Sequence, residues 1–169
     1  MTPSNIVLTG FMGTGKSTIG KQIARRLKWP FVDADEEIVR RAGMPIPQIF
    51  ARFGEPHFRQ IEREVCRDLA EREQTVIATG GGMLVDPANR EMMQARGLVV
   101  CLTASLKTLA RRLHNDGSRP LASGDWRNLL AKRKAAYDSI PYQINTSGRK
   151  PADVAAEIIA LWQNHSASA

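Results

Sequence analysis

Apolar positions along this chain follow two alternating rhythms. Short runs of β-forming residues, Ile6-Val7-Leu8-Thr9, Phe31-Val32-Asp33, Val76-Ile77-Ala78-Thr79, the stretch 98–102 and a weaker one at 142–145, predict five strands. Between them lie longer segments of helical period. The first spans 16–27, with Ile19, Ile23 and Leu27 on one face; two more cover 46–53 and 55–72. Asp86-Pro87 supplies an N-cap and a proline suited to the first helical position. Ser105 caps a helix through Leu113, Asp125 opens one carrying Leu129, Leu130, Arg133 and Tyr137, and a closing helix covers 151–162.

Strands that alternate with helices build βαβ units, and βαβ units build a parallel sheet covered on both faces. The fold class is therefore α/β, a three-layer α/β/α arrangement around a five-stranded parallel sheet. No repeat or linker interrupts the pattern, so residues 1–169 are expected to form one domain. The stretch 114–124 is polar, glycine-bearing and aperiodic, which predicts a mobile loop. The residues after Trp162 are expected to fray.

Composition narrows the classes. At 169 residues and 43% hydrophobic, the chain can bury a core without disulfides, and Cys66 and Cys101 lack metal or redox spacing. They read as buried, reduced thiols. No apolar run approaches the roughly 20 residues that span a bilayer. The start, Met1-Thr2-Pro3-Ser4-Asn5, has no basic region ahead of its apolar run, so a cytoplasmic location and no membrane partner are expected. Lys and Arg outnumber Asp and Glu by 24 to 17, a net charge of +7. The cations are scattered pairs and triplets without interleaved aromatics, which fits attraction of small anionic substrates better than a nucleic-acid surface. His57, His114 and His165 show no catalytic or metal-binding spacing.

The strongest chemical signal is Gly10-Phe11-Met12-Gly13-Thr14-Gly15-Lys16-Ser17, which matches G-x-x-x-x-G-K-[ST] between a predicted strand and helix. Glycines let successive backbone N–H groups wrap a phosphate, and the helix N-terminus adds partial positive charge. Lys16 is placed to reach the β- and γ-phosphates and the Ser17 hydroxyl to ligate Mg²⁺. Gly13, Thr14, Gly15 and Thr18 complete the nucleotide cradle. No D-x-x-G and N-K-x-D pair reads guanine, so the nucleotide is expected to be ATP.

Asp33-Ala34-Asp35 closes the second strand. In extended chain, residues i and i+2 face the same way, so both carboxylates are expected in one crevice at the strands' carboxyl ends. One suits Mg²⁺ through water, the other an acceptor hydroxyl. The alternative is that the acidic residues only favour the first turn of the next helix. Arg59 lies in Gly54-Glu55-x-x-Phe58-Arg59-x-x-Glu62, where the usual reading of a lone helical arginine is a solvated face or an i, i+3 pair, here with Glu62. Gly80-Gly81-Gly82 ends the third strand, a costly run that permits positive φ and close approach of a ligand.

Taken in order, the P-loop, D-x-D, G-E-x-x-F-R-x-x-E, G-G-G, R-P-L and R-x-x-x-Y, spread over about nine-tenths of the chain, resemble shikimate kinase, a family of P-loop kinases related to the nucleoside monophosphate kinases. The resemblance implies phosphoryl transfer from ATP to the 3-hydroxyl of shikimate, with Mg²⁺, in aromatic amino-acid biosynthesis. It implies Asp33 near Mg²⁺, Asp35 on the substrate hydroxyls, Arg59 and Arg133 on the shikimate carboxylate, and Gly81, flanked by Gly80 and Gly82, against the substrate. Arg119 of R-P-L, on a lid over about 114–124, would reach the transferring phosphate. Arg112 would stack on adenine and Pro151 close over the base. The acceptor segment would be about 33–62, and a monomer is expected. The chain departs from the family pattern at Leu121-Ala122-Ser123-Gly124 and at Ile140-Pro141. Two other readings stay open: a different small-molecule kinase on the same scaffold, such as a gluconate or nucleotide kinase, and a P-loop module that regulates or binds nucleic acid.

Overall fold

The computed structural model describes residues 4–115 and 124–167. Among these, β1 (Asn5–Gly10), β2 (Phe31–Asp33), β3 (Val76–Ala78), β4 (Gly97–Thr103) and β5 (Tyr142–Asn145) form one sheet. Its order is β2-β3-β1-β4-β5 and every adjacent pair is parallel. A parallel sheet is covered on both sides, which is why its central strands read as unbroken apolar runs. The period of two still sorts them: Ile6 and Leu8 of β1 enter one core, Val7 and the following Phe11 the other. In β4, Leu98, Val100 and Leu102 divide from Val99 and Cys101 in the same way.

Helices α1 (Lys16–Leu27) and α7 (Pro151–Ala167) cover the first face with Ile19, Ile23, Val154 and Ile158. On the second face lie α2 (Ala34–Ala42), α3 (Ile46–Ala70), α4 (Pro87–Arg96), α5 (Leu106–Asn115) and α6 (Trp126–Asp138). They contribute Ile38, Val65, Met93, Leu109 and Tyr137 to the core there. The expected three-layer α/β/α sheet protein is the one observed.

The two helical stretches expected at 46–53 and 55–72 are the halves of α3, broken where Gly54 leaves the helix at φ 80, ψ 172. Pro56 then falls in the first turn of the second half, where its missing N–H costs nothing. The expectation of a frayed tail after Trp162 is corrected, because α7 continues to Ala167. Trp162 packs edge-on against Trp29 with ring centroids 4.9 Å apart, and the Tyr142 hydroxyl lies 3.2 Å from His165 Nδ1. These contacts hold the last turns down, and no apolar period in the tail announced them.

Among the described residues no helix is long and apolar enough to cross a membrane. Cys66 and Cys101 are free and buried, and burial pushes both thiols up to about 12. Since all five strands run the same way, Gly10, Asp33, Ala78, Thr103 and Asn145 end on one edge of the sheet.

Candidate active site

At that edge β1 passes into α1 through the glycine loop. Gly13 and Gly15 hold φ of 82 and 102, values that residues with a Cβ rarely adopt, and Gly15 serves as the N-cap of α1. Thr14 is buried and donates its hydroxyl to Phe11 O at 2.7 Å, closing the loop on itself. Lys16 Nζ donates to Gly10 O at 2.7 Å and to Phe11 O at 2.9 Å, so its ammonium already lies in the mouth of the loop.

The carboxylate of Asp33 serves two neighbours. Oδ1 accepts from the backbone N–H of Asp35 at 2.9 Å and of Glu36 at 3.4 Å, capping α2, while Oδ2 accepts from Ser17 Oγ at 3.0 Å. The expectation that Asp33 and Asp35 face one crevice because the chain is extended there is corrected. Asp35 belongs to the first turn of α2, and the change from strand to helix between them, not strand pleat, directs its side chain. Asp33 thus caps the helix and at the same time joins it to the phosphate loop through Ser17.

Asp35 reaches the third strand's glycines. A Cβ built on Gly80 would lie closer than 3.0 Å to Asp35 Oδ1 and 3.2 Å from its Cγ. A Cβ on Gly81 would lie 2.9 Å from Arg133 Nη1 and 3.5 Å from Gly10 O. One on Gly82 would lie 3.1 Å from Arg59 Nη1 and 3.2 Å from Arg133 Nη2. None of the three has positive φ, which corrects that part of the expectation. The triplet is glycine because a carboxylate and two guanidinium groups stand where its side chains would be. Those groups are thereby gathered round a strip of bare backbone, and Gly10 O ties the strip to Lys16.

Arg59 pairs with Glu62 at 2.7 Å and with Glu55 at 3.3 Å. Burial draws its guanidinium down, but the two carboxylates outweigh that and leave it above its ordinary value. Glu62 is only 2% exposed, and burial raises its carboxyl above the usual range although Arg59 opposes the shift. The pair expected from i, i+3 spacing is real and fixes Arg59 beside the glycines. Arg133 stands over the Phe11 ring, 6.0 Å from its centroid, on helix α6. Tyr137, one turn later, donates to Gly81 O at 2.6 Å.

On the other side of the loop is a cavity of about 300 Å³ lined by Gly13, Thr14, Gly15, Thr18, Ile19, Arg112, Thr146, Arg149, Pro151 and Val154. Arg112 donates from Nη1 to Gly13 O at 2.9 Å and to Thr146 Oγ1 at 3.1 Å, and from Nη2 to Thr146 O at 3.1 Å. Burial, with Arg111 nearby, lowers its guanidinium from the ordinary value. Thr146 Oγ1 lies 2.9 Å from Thr14 O, joining the segment after β5 to the loop after β1. Pro151 opens α7 at the cavity rim.

Arg119 and most of the 114–124 segment lie outside the described residues. The other expected site residues collect at the one sheet edge: Gly13, Thr14, Gly15, Thr18, Arg112 and Pro151 around the cavity, and Asp35, Arg59, Arg133 and Gly80 to Gly82 together, with Lys16, Ser17 and Asp33 in the loop region. Sequence reasoning missed Thr146, a buried threonine in a loop that carries no motif, and the clamp made by Tyr137. The R-x-x-x-Y spacing, which puts both side chains on one helix face, was the available signal for the second.

A phosphate loop at the head of α1, with an arginine pair and a carboxylate around bare glycine backbone, defines a P-loop phosphotransferase for a small anionic acceptor. The family model described as shikimate kinase matches residues 12–163. The shikimate kinase of Geobacter sulfurreducens is 45% identical over 166 residues, 95% of this chain and 92% of that protein. Among solved structures, shikimate kinase from Acinetobacter baumannii in complex with shikimate aligns with a TM-score of 0.88 and 37% identity, over 96% of this chain and 94% of that one. That from Aquifex aeolicus aligns at 0.82 and 35%, over 98% and 99%. The chain belongs to the shikimate kinase family and is an ATP-dependent kinase.

Proposed function

We propose that this protein transfers the γ-phosphoryl group of ATP to the 3-hydroxyl of shikimate, giving shikimate 3-phosphate and ADP. The observation that carries the acceptor is the convergence of Arg59, Arg133 and Asp35 on Gly80 to Gly82, next to the loop that holds Lys16. Two guanidinium groups suit a planar carboxylate, which they bind through paired N–H donors, and a carboxylate beside them suits hydroxyls.

ATP binds with its phosphates wrapped by the N–H groups of Gly13 to Ser17 and its base in the cavity between Arg112 and Pro151. A divalent cation fits the Ser17 and Asp33 pair: a hydroxyl and a carboxylate oxygen 3.0 Å apart are hard donors, and Ser17, with Asp33 through water, would hold Mg²⁺ there. When bound, Mg²⁺ supplies neutralisation of the β- and γ-phosphate charge. Lys16 offsets charge on the transferring group, a role Arg119 shares on the family resemblance alone. Asp35 orients the acceptor hydroxyl and takes its proton as the new oxygen–phosphorus bond forms and the bond to ADP breaks.

ADP release with Mg·ATP, measured against shikimate, gluconate and nucleoside monophosphates, tests the reading. A response to shikimate alone supports it, and an equal or larger response to gluconate or a nucleotide contradicts it.

A further inference from the structure

We infer that the Tyr137 hydroxyl is a positioning group for the acceptor half of the site, holding the Gly81 backbone and the Arg133 guanidinium in one arrangement. The inference rests on the acceptor reading above and names a residue which that reading does not use.

Tyr137 and Arg133 are four residues apart on α6 and share a face. The phenol is 6% exposed and donates to Gly81 O at 2.6 Å, and a Cβ built on Gly81 would lie 2.9 Å from Arg133 Nη1 and 3.6 Å from the phenol oxygen, so guanidinium and hydroxyl flank the same glycine. The hydroxyl thus holds by its hydrogen bond the glycine against which the arginine stands. Burial pushes this phenol up to about 12, so it stays a neutral donor across the working pH range. The helix end behind it is fastened too. Gln143 Nε2, from β5, donates to Tyr137 O at 2.6 Å and to Ile140 O at 2.8 Å. A path of hydrogen bonds therefore runs from the sheet through the end of α6 and the phenol to the glycine strip.

The strip needs such a strut. Three glycines carry no side chains by which to be fixed, and an arginine has a long stem that is costly to order. Without the hydroxyl, Gly81 O loses a partner and the acceptor itself must order Arg133. That cost falls on acceptor binding. The nucleotide cavity, on the far side of the loop, is lined by other residues.

Steady-state kinetics of the whole chain with Mg·ATP and shikimate, for wild type and Tyr137→Phe, test this, together with melting curves with and without shikimate and ADP. Phenylalanine keeps the ring that packs in the core. The expected result is an acceptor KM raised about tenfold, an ATP KM within about twofold of wild type, and a smaller melting shift from shikimate but not from ADP. An unchanged acceptor KM overturns the inference, as does an equal rise in both KM values. A Tyr137→Phe chain that does not fold overturns it as well, since the hydroxyl would then be merely structural. Wild type that leaves shikimate unphosphorylated overturns the acceptor reading itself, and the inference with it; an active wild type with an unaffected variant overturns the inference alone.

Discussion

Gly80→Ala adds one methyl group at the point where Asp35 and the third strand meet. That methyl would lie closer than 3.0 Å to Asp35 Oδ1, against an ordinary van der Waals contact of 3.4–4 Å. The carboxylate must retreat by roughly 1 Å to restore normal contact. Moving the end of a short side chain is cheap for folding, and Gly80 has no positive φ that alanine would strain, so melting should change little. Catalysis is less tolerant, because a misplacement of about 1 Å in a reacting group can cost roughly 10²-fold in rate. With Asp35 as proton acceptor, kcat should fall by about that factor while the ATP KM stays near wild type. Coupled ADP-release kinetics at saturating shikimate give the number, and a melting curve certifies the fold. A kcat close to wild type would show that Asp35 can move without consequence and would refute its role. A large loss in thermal stability would show that the glycine serves the backbone and not the carboxylate.

Three further outcomes follow from the geometry. Thr146→Val removes the hydroxyl between Arg112 and the P-loop without changing shape, and should raise the ATP KM about tenfold with the shikimate KM nearly constant, read by the same assay. Glu62 holds its proton to higher pH in the folded state than in the unfolded chain. The stability linked to it is full below the unfolded pKa and lost as pH rises through the raised folded value. Melting temperature followed over about pH 4 to 7 should therefore lack this falling component in Glu62→Gln. Cys66 and Cys101, buried and pushed up to about 12, should resist a thiol reagent at neutral pH until denaturant is added, so rapid labelling of native protein would contradict the core placement.

The fold was legible because parallel strands buried on both faces must be apolar runs, and the helices between them carry a clear 3.6 period. The phosphate loop was legible because its glycines have a single use at that junction. The carboxylate pair reaches the sheet edge by a geometry other than the expected one: strand pleat was invoked, while Asp33 ends β2 by capping α2 and the turn into the helix directs Asp35. The glycine triplet had a different cause from the one expected. Its backbone angles are ordinary, and what excludes a Cβ is Asp35, Arg59 and Arg133, residues distant in sequence whose positions only the tertiary structure gives. Thr146 escaped for the same reason, since its partners Thr14 and Arg112 meet it across the sheet edge. The last turn of α7 meets Tyr142 of β5 through His165, a contact between residues far apart in the chain.

The proposal that two arginines read a carboxylate is tested most directly by comparing kcat/KM for shikimate with that for an analogue bearing a hydroxymethyl group in place of the carboxylate, in wild type and Arg133→Ala. A desolvated charge pair left half-made costs about 2–5 kcal/mol, so wild type should prefer shikimate by at least about 30-fold and the variant should discriminate far less. Equal kcat/KM for the two acceptors in the wild-type protein would contradict the account.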